Sequence, residues 1–188
     1  MAAGHPVQLR VDDAELVAQF ESLTLPFDQW THHAHVKIAF CYLRGHGFDR
    51  ALERLRSGIK SYNAANNVPD TPTSGYNETT THAFLHLIHA TMRAYGDAVP
   101  TPTADAFCDA HPQLQHRHAL RLFYSPQRRM HPEAKSRFVE PDLAPLPRVK
   151  HEVMKHEARN TKHETNGELK RRKPQTRSLP FEAFFFLA

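Results

Sequence analysis

Apolar side chains recur every three or four positions through most of the first 147 residues, and this spacing predicts α-helices. Leu52, Leu55 and Ile59 illustrate the pattern, because they fall on one face of a helix. No stretch alternates apolar and polar residues for long enough to predict a strand. The sequence therefore predicts a single all-α domain of about five to six helices over residues 1–147.

Capping residues and helix breakers divide this region into its predicted helices. Most of the predicted helices begin at a residue whose side chain favours a helix N-terminus. The predicted starts are Asp12 or Asp13, Thr31, Asp49, Asn77, Thr103 and Gln113. The sixth helix is predicted over residues 113–124. Two further Pro-containing sequences, at Ser125-Pro126 and His131-Pro132, predict short helical turns.

The formal net charge of +4 is concentrated at the C-terminal end of the chain. Residues 148–188 hold 10 Lys and Arg against 5 Asp and Glu, whereas residues 1–147 hold 14 against 15. Few apolar residues recur after residue 147, so we predict a basic, disordered tail. Its Lys170–Lys173 run is also typical of segments that bind nucleic acid or act as a localisation signal, although short basic runs are common and a solvated tail is the favoured interpretation. The near-neutral helical region lacks the basic surface that a nucleic-acid reader needs.

Several classes of protein are disfavoured by composition. A mean hydropathy of -0.60 without a long apolar run predicts no membrane span. The two cysteines, Cys41 and Cys108, predict small buried side chains rather than a disulfide framework. No secretory signal pattern is evident, so we expect a cytoplasmic protein. The 7 glycines form no phosphate-binding loop.

Histidine is the unusual component, with 15 residues in 188. In Trp30-Thr-His-His-Ala-His35, the imidazoles of His32 and His35 lie three residues apart and share one helical face, which continues into Ala39. A helix N-terminus favours the neutral imidazole, which is the form that binds metals. Two interpretations remain open for this pair: a metal or catalytic site, or packed and hydrogen-bonded side chains.

A second motif, Gly75-Tyr-Asn-Glu-Thr-Thr-Thr-His82, follows a polar loop and begins a helix. Glu78 and His82 are four residues apart and share a face. A carboxylate in a first turn also interacts favourably with the helix dipole, which requires no functional role. Helical bundles build metal sites from inward His and Glu on facing helices. We therefore predict that His32, His35 and Glu78 converge as catalytic groups, or with His82 as ligands of a divalent transition metal such as zinc or iron.

Three residues within these motifs, Trp30, Tyr76 and Asn77, are predicted to line a substrate pocket. For Trp30 the alternative is an anchor in the hydrophobic core. The resulting functional hypothesis is a small helical enzyme that acts on a small organic molecule. The alternatives are a non-catalytic helical module that binds a small ligand or a protein, and nucleic-acid association through the tail.

The combination of motifs resembles a family of small uncharacterised proteins, mostly bacterial. The motifs are Trp30-Thr-His-x-Ala-His35, Ala51–Ile59, Tyr62-Asn63, Gly75-Tyr-x-Glu-Thr-x-Thr81, Tyr124-Ser and Phe138–Pro147. The resemblance covers residues 15–147 and implies the domain boundary but no activity. The usual family motif is similar to Gly-Tyr-His-Glu-Thr, and Asn77 occupies the position of that histidine here.

Overall fold

The computed structural model describes residues 12–149, and within them the chain forms helices and loops. The seven α-helices are α1 (Asp13–Glu21), α2 (His32–Gly45), α3 (Phe48–Ala65), α4 (Glu78–Tyr95), α5 (Ala104–Ala110), α6 (Pro126–Met130) and α7 (Pro132–Ser136). Three 3-10 helices cover Phe27–Gln29, Pro112–Gln115 and Ala119–Leu122. The predicted all-α fold class is confirmed. The predicted tail lies outside the described residues, apart from Arg148 and Val149.

Side-chain caps fix the starts of the helices that carry the sequence motifs. The Thr31 hydroxyl accepts a hydrogen bond from the backbone N–H of Ala34 at the start of α2. The Asn77 side chain accepts one from the N–H of Thr80 at the start of α4. Because each cap satisfies an N–H that has no partner within its helix, both motifs enter their helices in a defined orientation.

The sixth predicted helix, over residues 113–124, is wrong as a continuous α-helix. The chain forms two 3-10 helices there, separated by residues 116–118. In an α-helix the carbonyl of Leu114 would accept a backbone N–H four residues later. Here it accepts a hydrogen bond from the His32 ring instead, at 3.0 Å. A tertiary contact has therefore replaced a local one, and it ties this segment to the start of α2.

Helix α2 lies at the centre of the domain and packs against α1, α3, α4 and α5. At its first turn three aromatic rings pack together, with Phe20 stacked on Trp30 and Tyr62 tilted against both. The ring centroids of Phe20 and Trp30 are 4.8 Å apart, and those of Trp30 and Tyr62 are 4.9 Å apart. The Tyr62 hydroxyl donates to the carbonyl of Leu25 at 2.7 Å. This cluster fixes the loop that leads into α2.

Gly58 on α3 allows that aromatic cluster to form. A Cβ atom at this position would lie 2.6 Å from Cε1 of Phe20, whose ring is fully buried. We expect Gly58→Ala to lower the free energy of unfolding by about 1–2 kcal/mol, since overpacking outweighs the higher helix propensity of alanine. Urea denaturation measures this change. Gly45→Ala, with no atom within 4 Å of the added Cβ, is the control, and an equal effect on both variants would contradict the packing argument.

Within residues 12–149, no helix is both long enough and apolar enough to cross a membrane.

Candidate functional site

A cavity of about 270 Å³ opens between α2, α3 and α4, beside the histidine motif. Its volume lies just below the range of roughly 300–1,000 Å³ that is usual for small-molecule sites. Most of its wall is aliphatic or aromatic, with two histidines, two threonines and one arginine. The lining residues are His32, His35, Val36, Ala39, Leu55, Ile59, Thr80, Thr81, Phe84, Leu85, Ile88 and Arg117.

His35 presents a neutral imidazole at this cavity. Its Nδ1 donates a hydrogen bond to the carbonyl of Thr31 at 2.7 Å, so the second nitrogen, Nε2, is the unprotonated one. Burial lowers the pKa of His35 to about 4, although the Thr31 hydrogen bond acts in the opposite direction. The ring stacks on Trp30, with centroids 3.7 Å apart. Nε2 has no hydrogen-bond partner among residues 12–149, so it is available to a bound molecule.

His32 occupies the cavity in a different way, because its Nε2 already donates to the carbonyl of Leu114. Its ring packs edge-on against Phe84, with centroids 4.8 Å apart. Burial lowers the pKa of His32, with the Leu114 hydrogen bond opposing. The two histidines therefore share a cavity, as predicted from their spacing. Each ring donates one N–H to a backbone carbonyl, so the unprotonated acceptor nitrogen is Nδ1 in His32 and Nε2 in His35.

Glu78 is engaged elsewhere. Its carboxylate receives Nε of Arg56 at 2.8 Å and the terminal nitrogen of the same guanidinium at 2.6 Å. The Tyr76 hydroxyl donates to it at 2.7 Å. Arg56 holds the pKa of Glu78 below its usual range, against the effect of burial. Glu78 makes no hydrogen bond or ion pair with His32 or His35 in the described structure and does not line their cavity.

His82 also lies away from the two cavity histidines. Its ring stacks on Phe138, with centroids 4.2 Å apart, and lies 5.4 Å from the ring of Phe48. Burial lowers the pKa of His82, and the charge of Glu78 raises it. His82 lines a separate open cleft against the segment that follows Phe138. It is therefore part of an aromatic cluster on the outer side of α4.

The predicted metal site is not formed by these residues. Across the part of the chain that the structure describes, no group of three or more His, Cys, Asp or Glu side chains is placed to hold a metal ion. The physical reason is that Glu78 is paired with Arg56 and His82 is packed against Phe138. His32 and His35 alone supply two nitrogens, which is fewer than a protein zinc site uses.

The three predicted pocket residues do not line this cavity. The Trp30 ring packs against His35 and Tyr62. Trp30 is therefore an anchor in the hydrophobic core, which was the alternative interpretation of this residue. Asn77 caps α4. Tyr76 is buried against Glu78 and lines a different cleft, where the ammonium group of Lys60 lies 4.8 Å from the centroid of its ring. Their position within the motifs therefore reflects a structural role.

Sequence reasoning missed three polar residues that line the cavity. Thr80 and Thr81 stand within the second motif, and their helical spacing from Phe84 and Leu85 was a usable signal. Arg117 comes from the turn between two 3-10 helices, 72 residues after the end of α2 at Gly45. Its position was obscured because residues 113–124 were expected to form a continuous helix.

Comparisons with protein families, with curated proteins and with solved structures give no match, so the function is argued from the site itself, and the family resemblance stays a prediction.

Proposed function

We propose that this domain binds a small, largely apolar organic molecule in the cavity beside His32 and His35. The observation that carries the proposal is that His35 lines an apolar cavity and that its Nε2 has no hydrogen-bond partner within residues 12–149. Leu55, Ile59 and Leu85 contribute apolar surface to the same wall. Such a cavity with few polar groups is the usual form of a small-molecule site. A hydroxyl or N–H group of the ligand would bind the Nε2 atom.

The geometry favours binding over catalysis. A general base works best when its pKa lies near the operating pH, whereas the pKa of His35 is lowered to about 4. Glu78 supports neither imidazole, because its carboxylate is paired with Arg56. A neutral imidazole with one fixed N–H is nevertheless a well-oriented hydrogen-bond acceptor. We therefore place the non-catalytic binding module ahead of the enzyme, and the cytoplasmic location stays a prediction.

A neutral probe, 2-naphthol, tests this proposal directly, since it combines an apolar bicycle with one hydroxyl donor. We expect saturable binding by isothermal titration calorimetry. Ala39→Leu places a larger side chain in the cavity wall, where Ala39 is buried. We expect it to weaken binding at least about tenfold, which corresponds to about 1.4 kcal/mol. Circular dichroism verifies that the variant is folded.

The matched control is Ala18→Leu, the same substitution at an exposed position of α1. It should bind 2-naphthol as the wild type does. Absence of saturable binding to the wild type, or equal affinity of the folded Ala39→Leu variant, would contradict the proposal.

A further inference from the structure

Arg117 gives the cavity its one permanent charge among the described lining residues. It is exposed, and no acidic side chain within residues 12–149 forms an ion pair with it. The rest of the lining is neutral at about pH 7 or apolar. A ligand held in this cavity therefore contacts a guanidinium at one part of its surface and neutral, mostly apolar side chains over the rest.

The surroundings of Arg117 reinforce its charge. From His111 to Pro132 the sequence holds four arginines and no acidic residue. The pKa of His118 is lowered by desolvation and then by the positive charges of Arg121, Arg117 and Arg129. These groups therefore act on one another at short range. Such a field attracts anions to this side of the domain.

We propose that the ligand of this cavity is an organic anion, an apolar carboxylate whose carboxylate group lies against Arg117. The guanidinium can donate two parallel hydrogen bonds to a carboxylate. The apolar body would contact Val36, Ile59 and Ile88, and a donor group would reach His35. This inference rests on the proposed binding function and adds the chemical class of the ligand.

The aliphatic wall argues against a polyanion as the occupant. Several charges would need several cations inside the cavity, yet Arg117 stands alone there among the described residues. Burying a second charge without a partner would be costly. A single carboxylate at the exposed end of an apolar molecule matches the arrangement, because it remains in contact with water.

Two matched probes separate the charge from the apolar body: 2-naphthol and 6-hydroxy-2-naphthoate, which adds one carboxylate to the same skeleton. We expect the wild type at about pH 7 to bind the carboxylate about fivefold more tightly, the effect of a partly exposed ion pair. The preference should decrease with added NaCl. The backbone and indole N–H resonances of Trp30, the single tryptophan, report independently on binding beside His35.

The Arg117→Gln variant should bind the two probes with about equal affinity, because the guanidinium that favours the carboxylate is gone. Its affinity for 2-naphthol should be that of the wild type. Arg50→Gln is the control, because it removes one exposed positive charge from α3 outside the cavity, and it should retain the preference. If 2-naphthol binds but the carboxylate is not preferred, or if Arg117→Gln keeps the preference, this inference alone is overturned. If neither probe binds, the proposed function and this inference are both overturned.

Discussion

Arg56→Ala is expected to lower the free energy of unfolding by about 3 kcal/mol at about pH 7, because it strands a buried carboxylate. Glu78 is only 6% exposed, and both of its oxygens bind the Arg56 guanidinium. After the substitution the Tyr76 hydroxyl is its one remaining side-chain donor in the described structure. The expected loss lies at the low end for buried pairs, because the Arg56 side chain is itself 39% exposed. Chemical denaturation measures the change.

The pH dependence identifies the cause of this loss. With Arg56 present, the folded-state pKa of Glu78 is lowered, so the pair stabilises the wild type above the unfolded-state pKa. This contribution is lost as the pH falls through the folded-state pKa. Without Arg56, burial favours the protonated form of Glu78. Lowering the pH therefore removes the cost of the buried, unpaired carboxylate in the variant. The difference between wild type and Arg56→Ala should therefore shrink from neutral pH towards about pH 4.

Arg54→Ala, on the same helix, is the matched control. Arg54 pairs with Glu21 at the surface, where the two side chains are 36% and 39% exposed. We expect a loss below about 1 kcal/mol. Equal losses in the two variants, or a loss at Arg56 that does not change with pH, would contradict the structural role assigned to Glu78.

Protonation linked to His35 should lower the free energy of unfolding of the wild type by about 2 kcal/mol when the pH falls from about 7 to 4.5. In the unfolded chain His35 titrates near its ordinary pKa, whereas burial lowers the folded-state pKa to about 4. Between these values the unfolded chain binds more protons, so stability rises with pH over this interval and is level above it. Urea denaturation at several pH values measures the slope.

His35→Gln isolates this contribution, because His32 and His82 also have lowered pKa values and add to the slope of the wild type. The stability gap between wild type and variant should be widest near neutral pH and narrow towards about pH 4. Parallel pH profiles for the two proteins would show that His35 is not buried as a neutral imidazole.

The fold was largely predictable because its determinants are local. Each of these signals lies within or next to the one helix that it specifies. Examples are the caps Thr31 and Asn77 and the apolar spacing along α3. The convergence of His32 and His35 on one cavity was predictable for the same reason, since three-residue spacing places both on one face.

The remainder of the site depends on tertiary partners that local spacing does not specify. Glu78 shares a helical face with His82, which suggested a common site. The decisive partner is Arg56, 22 residues away on α3. Which cation pairs with a buried carboxylate is decided by the packing of two helices, so local spacing could not predict that Glu78 pairs with Arg56 rather than with the two histidines. The place of Arg117 in the cavity wall could not be predicted for a similar reason. The His32 ring donates to the Leu114 carbonyl, and the chain forms two 3-10 helices there instead of one α-helix.

The most direct test of the account is a nuclear magnetic resonance measurement of the histidine ring nitrogens. At about pH 7 the His35 resonances, assigned by their loss in His35→Gln, should show protonated Nδ1 and unprotonated Nε2. Addition of 2-naphthol should move the His35 Nε2 resonance towards the protonated range, since that atom accepts the ligand's hydrogen bond. The resonances of His46, at the other end of α2 and outside the cavity lining, should stay in place. A His35 ring protonated at Nε2, or an Nε2 resonance that does not move while 2-naphthol binds, would contradict the account.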